Sequence, residues 1–258
     1  MSYGADGFSE GDVRDPKNPR AFREYLEGHA VTWVNVDGIG DAEVIRALGE
    51  TFELHPLLLE DVVSLHQRPK VERYGDTIFI VLRMAETADR TTWEQLSIVL
   101  KPGCLLTFQE CPGKDCLDPV RQRIRGGVGR LRTFGADYLA YAVTDAVIDH
   151  YFPVLEKIGE RIEFAEEISV SSQPFVSFQY IHSLRQDLLV LRRAIWPLRD
   201  ALSELMREDA FFSDETRVYL RDCYDHAKQL IDVIEVDREL LSALVENSLS
   251  ANSYRANE

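Results

Sequence analysis

Residues 52–84 read FELHPLLLEDVVSLHQRPKVERYGDTIFIVLRM, and within this stretch the chain passes from helix to sheet with only a short connection. Pro56 is placed to open a helix, because its fixed φ suits the first helical position and its missing N–H costs nothing there. PLLLEDVV supplies the helix. KVERY and TIFIVLRM follow as strand-like runs, separated only by Gly75-Asp76, a spacing that joins antiparallel neighbours. Downstream, EQLSIVLK and CLLTFQE add strands on either side of Pro102-Gly103. Upstream, Asn18-Pro19 opens a short helix through Ala21, Phe22, Tyr25 and Leu26, and VTWVNV (31–36) reads as a strand. Gly38-Ile39-Gly40 turns the chain, and Asp41 caps a helix carrying Val44, Ile45, Leu48 and Phe52. Helices and strands in this order predict an α/β or α+β layered domain.

Beyond residue 136 the character changes to three long helical patterns. The first, ADYLAYAVTDAVIDHYFPVLEKIGERIEFAEEI, contains Pro153 as an expected kink. The second runs from about Phe175 to Met206 with Pro197 inside it, and the third from Ser213 to about Ser250 without Gly or Pro. In the third, Leu220, Cys223, Ala227, Leu230, Ile234, Leu241, Leu244 and Ser248 trace a seam spaced by threes and fours, interrupted by Asp237. A second stripe, Asp225, Asp232, Glu239 and Glu246, repeats every seven residues. Such a stripe reads either as a solvated helix face or, in a ring of parallel helices, as an acidic axis that collects cations.

The chain has 258 residues, 29 Lys+Arg against 44 Asp+Glu, and a formal net charge of −15. That balance argues against nucleic acid, which needs a surplus of Lys and Arg on one face, and favours cations as partners. Four cysteines, three of them spaced C-x6-C-x4-C, fit neither a disulfide framework nor structural zinc, and imply reduced thiols in the cytoplasm. No apolar run is long enough to span a bilayer, and the N-terminus has no signal-peptide core, so the chain as given is expected to be soluble.

Several constellations invite chemistry. Glu60 and Asp61 end the PLLLEDVV helix, but adjacent carboxylates point to different sides and need oxygen ligands from elsewhere. Asp145 with Asp149, and Asp222 with Asp225, are candidate partners on the long helices; several carboxylates and water suit Mg²⁺. The histidines (His29, His55, His66, His150, His182, His226) form no H-E-x-x-H or Cys/His cluster and are read as structural or surface residues. GIGDAE (38–43) lacks the third glycine of a dinucleotide loop and carries acids that repel pyrophosphate; GGVGRLR (126–132) lacks the G-K-[ST] of a P-loop. No nucleophile stands with its base at a motif spacing, and no enzyme is expected, although a soluble metal-dependent hydrolase built from acids gathered by folding is a competing class. A purely structural oligomerisation module is another.

The 52–84 stretch closely resembles the cytoplasmic domain of the CorA family of divalent-cation (Mg²⁺/Co²⁺) transporters, in HPLLLED, HQRPKVE and the FIVL strand. FQE (108–110), DPVRQRIR (118–125), ADYLAYAVTDAVIDHYF (136–152), LRRAIWPLRDAL (191–202) and YLRDCYDH (219–226) resemble further family words in the same order. The resemblance implies an α/β/α layered domain with a mixed sheet and a long C-terminal stalk helix, assembled as a homopentamer on the cytoplasmic face of the cell membrane. It implies the layered domain over 19–212 with a helical hairpin at about 136–207, and a stalk helix over 213–258; residues 1–18, rich in Gly, Asp and Ser with few apolar groups, are expected to be mobile. The stalk would lead to two membrane helices, joined by a Gly-Met-Asn loop, that this chain does not contain, so by itself the chain would not conduct ions. A regulatory Mg²⁺ site between subunits, where Co²⁺ can substitute, maps onto Asp61 with Glu60, Asp222, and Asp145 as an outer contributor. The stripe Asp225, Asp232, Glu239 and Glu246 would face the fivefold axis, with Asn257 at the pore mouth. The N-terminus looks short for the family, so the sheet is expected to lack an edge. A ZntB-like zinc-transporting branch shares the fold and is the alternative; HPLLLED and HQRPK look nearer the magnesium branch.

Overall fold

The hairpins expected around Gly75 and Gly103 form one side of the sheet, from the edge strand at Lys70–Tyr74 inward to the strand at Cys104–Gln109. Both glycines have positive φ (63° and 72°), which a side chain would strain at these tight reversals. The computed structural model describes residues 1–86, 92–113, 115–170 and 178–256. Its strands are β1 (Ser2–Gly4), β2 (Gly7–Ser9), β3 (Val31–Asp37), β4 (Lys70–Tyr74), β5 (Thr77–Glu86), β6 (Thr92–Lys101) and β7 (Cys104–Gln109). Its α-helices are α1 (Arg23–Gly28), α2 (Ala42–Thr51), α3 (Pro56–Val63), α4 (Asp118–Gly126), α5 (Ala136–Val170), α6 (Phe178–Leu205) and α7 (Asp214–Ala256), with a 3₁₀ turn at Pro19–Phe22 before α1.

The strands form one mixed sheet in the order β2-β1-β3-β7-β6-β5-β4. Only β3 and β7 run parallel, Thr32 opposite Cys104 through Asp37 opposite Gln109; the other neighbours are antiparallel. Period-two alternation sends Ile78, Ile80, Leu82, Leu96, Ile98 and Leu100 to one face and Phe79, Val81, Val99, Leu106 and Phe108 to the other. The first face packs on α5 and α6 through Val143, Val147, Leu191 and their neighbours, with Leu230 of α7 in the same core; the second packs on Ile45 and Leu48 of α2 and Leu58 and Val62 of α3. Both faces are covered, giving the α/β/α layering that the resemblance implied.

Caps fix the helix starts. Asp41 Oδ1 accepts from the Glu43 and Val44 N–H groups, and His55 Nδ1 accepts from Leu57 N–H ahead of Pro56 at the first helical position. At the start of α7, Asp137 Oδ2 of α5 accepts from Ser213 N–H (3.1 Å), Ser213 Oγ (2.8 Å) and Thr216 Oγ1 (2.7 Å). One carboxylate thereby ties the foot of α7 to α5. The prolines at 153 and 197 lie inside α5 and α6. The expected 136–207 hairpin is part of a three-helix unit, because α7 packs along both α5 and α6 more extensively than they pack on each other.

The N-terminus departs from expectation. Residues 1–18 are not a bare mobile segment: Tyr3 is fully buried, β1 pairs with both β2 and β3, and the Met1 ammonium donates to Trp33 O at 2.8 Å. The sheet edge expected to be missing is supplied by β1 and β2 beside β3.

Candidate metal centre

Layering decides which acids can meet. Glu60 and Asp61 sit on α3, over the second sheet face, whereas Asp145 and Asp222 sit on α5 and α7, over the first. One chain therefore holds the predicted set in two parts. Glu60 is exposed. Asp61, with a quarter of its side chain exposed, is held by its own chain: Lys70 Nζ lies 2.5 Å from Oδ2, and Gln67 Nε2 donates to Oδ1 at 2.9 Å. Lys70 also bonds Glu72 Oε1 at 2.8 Å, so the ammonium is shared between two carboxylates. Burial disfavours its charge, but Asp61 and Glu72 prevail and hold the Lys70 ammonium above its usual range.

On the other layer, Asp145, Asp149 and His226 each offer a ligand atom within 4.8 Å of the others. Asp145 and Asp149 are one turn apart on α5, and His226 faces them from α7. Asp145 is half-buried and accepts from Tyr141 Oη (3.2 Å) and Cys223 Sγ (3.5 Å). Burial, then the charge of Asp149, push its carboxyl above the usual range in spite of those donors. Asp222, with 67% of its side chain exposed, lies 3.9 Å from His226 Nε2, and the buried His226 Nδ1 has no hydrogen-bond partner among the described residues. Phe152 packs edge-on against the imidazole, with ring centroids 5.9 Å apart. The pocket beside these groups is also lined by Cys116, Arg123 and His150. A raised carboxyl next to a second acid is a site short of positive charge, which a divalent cation supplies.

The stripe Asp225, Asp232, Glu239 and Glu246 is exposed throughout, on the side of α7 away from the buried Leu220–Leu244 seam. The two stripes are two residues out of step, about 200° around the helix. Asp222, Gln229, Val236 and Ala243 fall between the acids, so the exposed face is itself a heptad seam. Asn257 lies outside the described residues. Among the described residues no helix is long and apolar enough to cross a membrane.

A family model described as "CorA-like Mg2+ transporter protein" matches residues 28–258. The chain belongs to that family. The Thermotoga maritima protein named "Cobalt/magnesium transport protein CorA" is 41% identical over all of this chain and 74% of its own length. The solved soluble domain of CorA from Methanocaldococcus jannaschii superposes with a TM-score of 0.76 at 21% identity, covering 87% of this chain and 90% of that one. The ZntB cytoplasmic domain from Vibrio parahaemolyticus gives a TM-score of 0.72 at 13% identity, covering 88% of each chain. The two structural likenesses establish a shared fold; that fold is common to both branches and does not choose between them.

Within this CorA-family chain, Asp145 and Asp149 meet as the candidate pair on α5, and His226 joins them although the sequence reading does not single it out as a ligand. His226 was read as a surface or structural residue, because an isolated histidine carries no ligand spacing. The signal was local: Asp222 and His226 are four apart on α7, which puts both on one face. Only the packing of α7 on α5 brings that face to Asp145 and Asp149.

Proposed function

We propose that this chain is the cation-sensing portion of a CorA-like Mg²⁺/Co²⁺ transporter, lying on the cytoplasmic face of the membrane in a homopentamer. The observation that carries the reading is the gathering of Asp145, Asp149 and His226, with Asp222 beside them, on the layer opposite Asp61. A cation held there and reaching an acid of the next subunit, such as Glu60 or Asp61, would favour one arrangement of the ring. Without it, facing carboxylates repel; two unit charges ~4 Å apart interact by about 4 kcal/mol at intermediate dielectric. The cation shifts the equilibrium only by its preference for the clamped arrangement, and α7 carries the change along its length. The exposed seam with Asp225, Asp232, Glu239 and Glu246 supports a parallel ring in which these acids face a shared axis. Asp61 enters at a cost, because Lys70 already neutralises it and must be displaced or shared.

The donor set fits a divalent cation, the carboxylates suiting Mg²⁺ and the imidazole of His226 suiting Co²⁺ or Zn²⁺. That imidazole is the observation favouring a second reading, a sensor tuned to a transition metal as in the ZntB-like branch.

Thermal unfolding of the whole chain with and without Mg²⁺ or Co²⁺ tests the proposal. At tenfold excess over Kd the cation should stabilise by about 1.4 kcal/mol. Asp145→Asn and Asp222→Ala should remove most of that gain, and Asp61→Ala should remove the part that depends on assembly. Variants that respond as the parent does would overturn the site.

A further inference from the structure

One cleft runs against the charge of the rest of the molecule. A cavity of about 910 Å³ opens between α6, the loop from His66 to Pro69 that precedes β4, and the ends of β5 and β6. Four arginines line it: Arg68, Arg83, Arg192 and Arg193. Among the described residues the single carboxylate on its wall is Asp200, paired with Arg199 at 2.7 Å. Arg192 is paired with Glu235 at 3.0 Å and lies over the Trp196 ring, 4.5 Å from its centroid. Among the described residues, no ion pair engages Arg68, Arg83 or Arg193. Three uncompensated guanidinium groups thus share one concave wall of a chain whose net charge is −15.

Electrostatic self-energy makes this arrangement informative. Free arginines disperse into solvent unless something anionic repays their proximity, and a cleft of one sign concentrates its field for that partner. Arg83 is fixed rather than dispersed: it is half-buried in β5, its Nη1 donates to Gln67 O at 3.4 Å, and its own carbonyl accepts from the Tyr151 hydroxyl. Guanidinium forks match the oxygens of phosphate in pairs. The volume exceeds what a single phosphate needs and suits a ligand of nucleotide size. The indole of Trp93 supplies an apolar wall.

We propose that this cleft binds a polyphosphate group, free or carried on a nucleoside, through Arg68, Arg83 and Arg193. The site is independent of the acidic cluster on α5 and α7, and its chemistry is of opposite sign.

Isothermal titration calorimetry of the whole chain at low ionic strength, without divalent cations, tests it with sodium tripolyphosphate in one arm and ATP in the other. One saturable site per chain is expected, weakening as salt is added. Arg68 and Arg193 are exposed, so Arg68→Gln with Arg193→Gln should fold normally and weaken binding about tenfold or more, as loss of charge-assisted bonds implies. Arg125→Gln, at a guanidinium already paired with Glu10, should leave it unchanged. Equal affinity in both arms assigns the site to the phosphate chain; tighter ATP adds the base against the indole wall. No saturable heat in either arm, or a double variant that melts and binds like the parent, overturns the proposal; Arg83→Gln gives a second, independent reading if the double variant melts early.

Discussion

Along α7, Leu220, Cys223, Ala227, Leu230, Ile234, Leu241 and Leu244 are buried within the core that includes α5 and α6, while Asp225, Asp232, Glu239 and Glu246 on the other side are exposed. Both rows keep a seven-residue repeat. The inner row is satisfied within one chain, so its residues act on folding. The outer row has no ion pair or hydrogen bond among the described residues of this chain, so its side chains are open to solvent. The difference teaches that periodicity alone does not say whether a seam belongs to a fold or to an assembly; the chemistry of its residues does.

Leu230→Ala is the strongest way to break this contrast. Leu230 is fully buried, and truncation should cost about 2–5 kcal/mol, read as a fall in the midpoint of denaturant unfolding. Asp237→Leu should sharpen the contrast by the next largest amount. Asp237 sits in the inner row, 8% exposed, with Oδ2 buried and unpartnered among the described residues. Burial, then the charge of Glu163, raise its carboxyl above the usual range. A raised folded-state value means its contribution to stability is present below the unfolded value of about 3.9 and lost as pH rises through the folded one. The leucine variant should therefore gain about 1–3 kcal/mol at neutral pH and lose that advantage toward about pH 4, measured by thermal melts at both. A variant no more stable at neutral pH would mean that Asp237 finds a compensating partner. Smallest of all, Asp232→Ala or Glu239→Ala should change the unfolding midpoint of the chain by no more than about 0.5 kcal/mol. A larger effect on the isolated chain would show that the outer row is not idle within one fold.

The sequence made much of this visible where structure is local. The β4–β5 and β6–β7 reversals were legible from Gly75-Asp76 and Pro102-Gly103, and α2 from its Asp41 cap, because each depends on residues within a few positions. The inner and outer rows of α7 were legible for the same reason. Tyr3 was not: β1 has only three residues, and its burial comes from pairing with β3 almost thirty positions away. The acids of α5 and the imidazole of His226 are likewise joined by helix packing, so neither their meeting nor the hold of Lys70 on Asp61 could be read from spacing. The arginines of the opposite-sign cleft are contributed by a loop, a strand end and a helix, each unremarkable alone.

Asp137 fastens the foot of α7 to α5, and α7 then continues without interruption for 43 residues. At 1.5 Å per residue the rod is about 65 Å long. Pivoting it at that fastening by about 5° would swing the far end by about 6 Å, more than a full helical turn. A displacement of a few tenths of an ångström near the acids at its base would thus emerge at the tip several times larger, with no residue in between needing to change conformation.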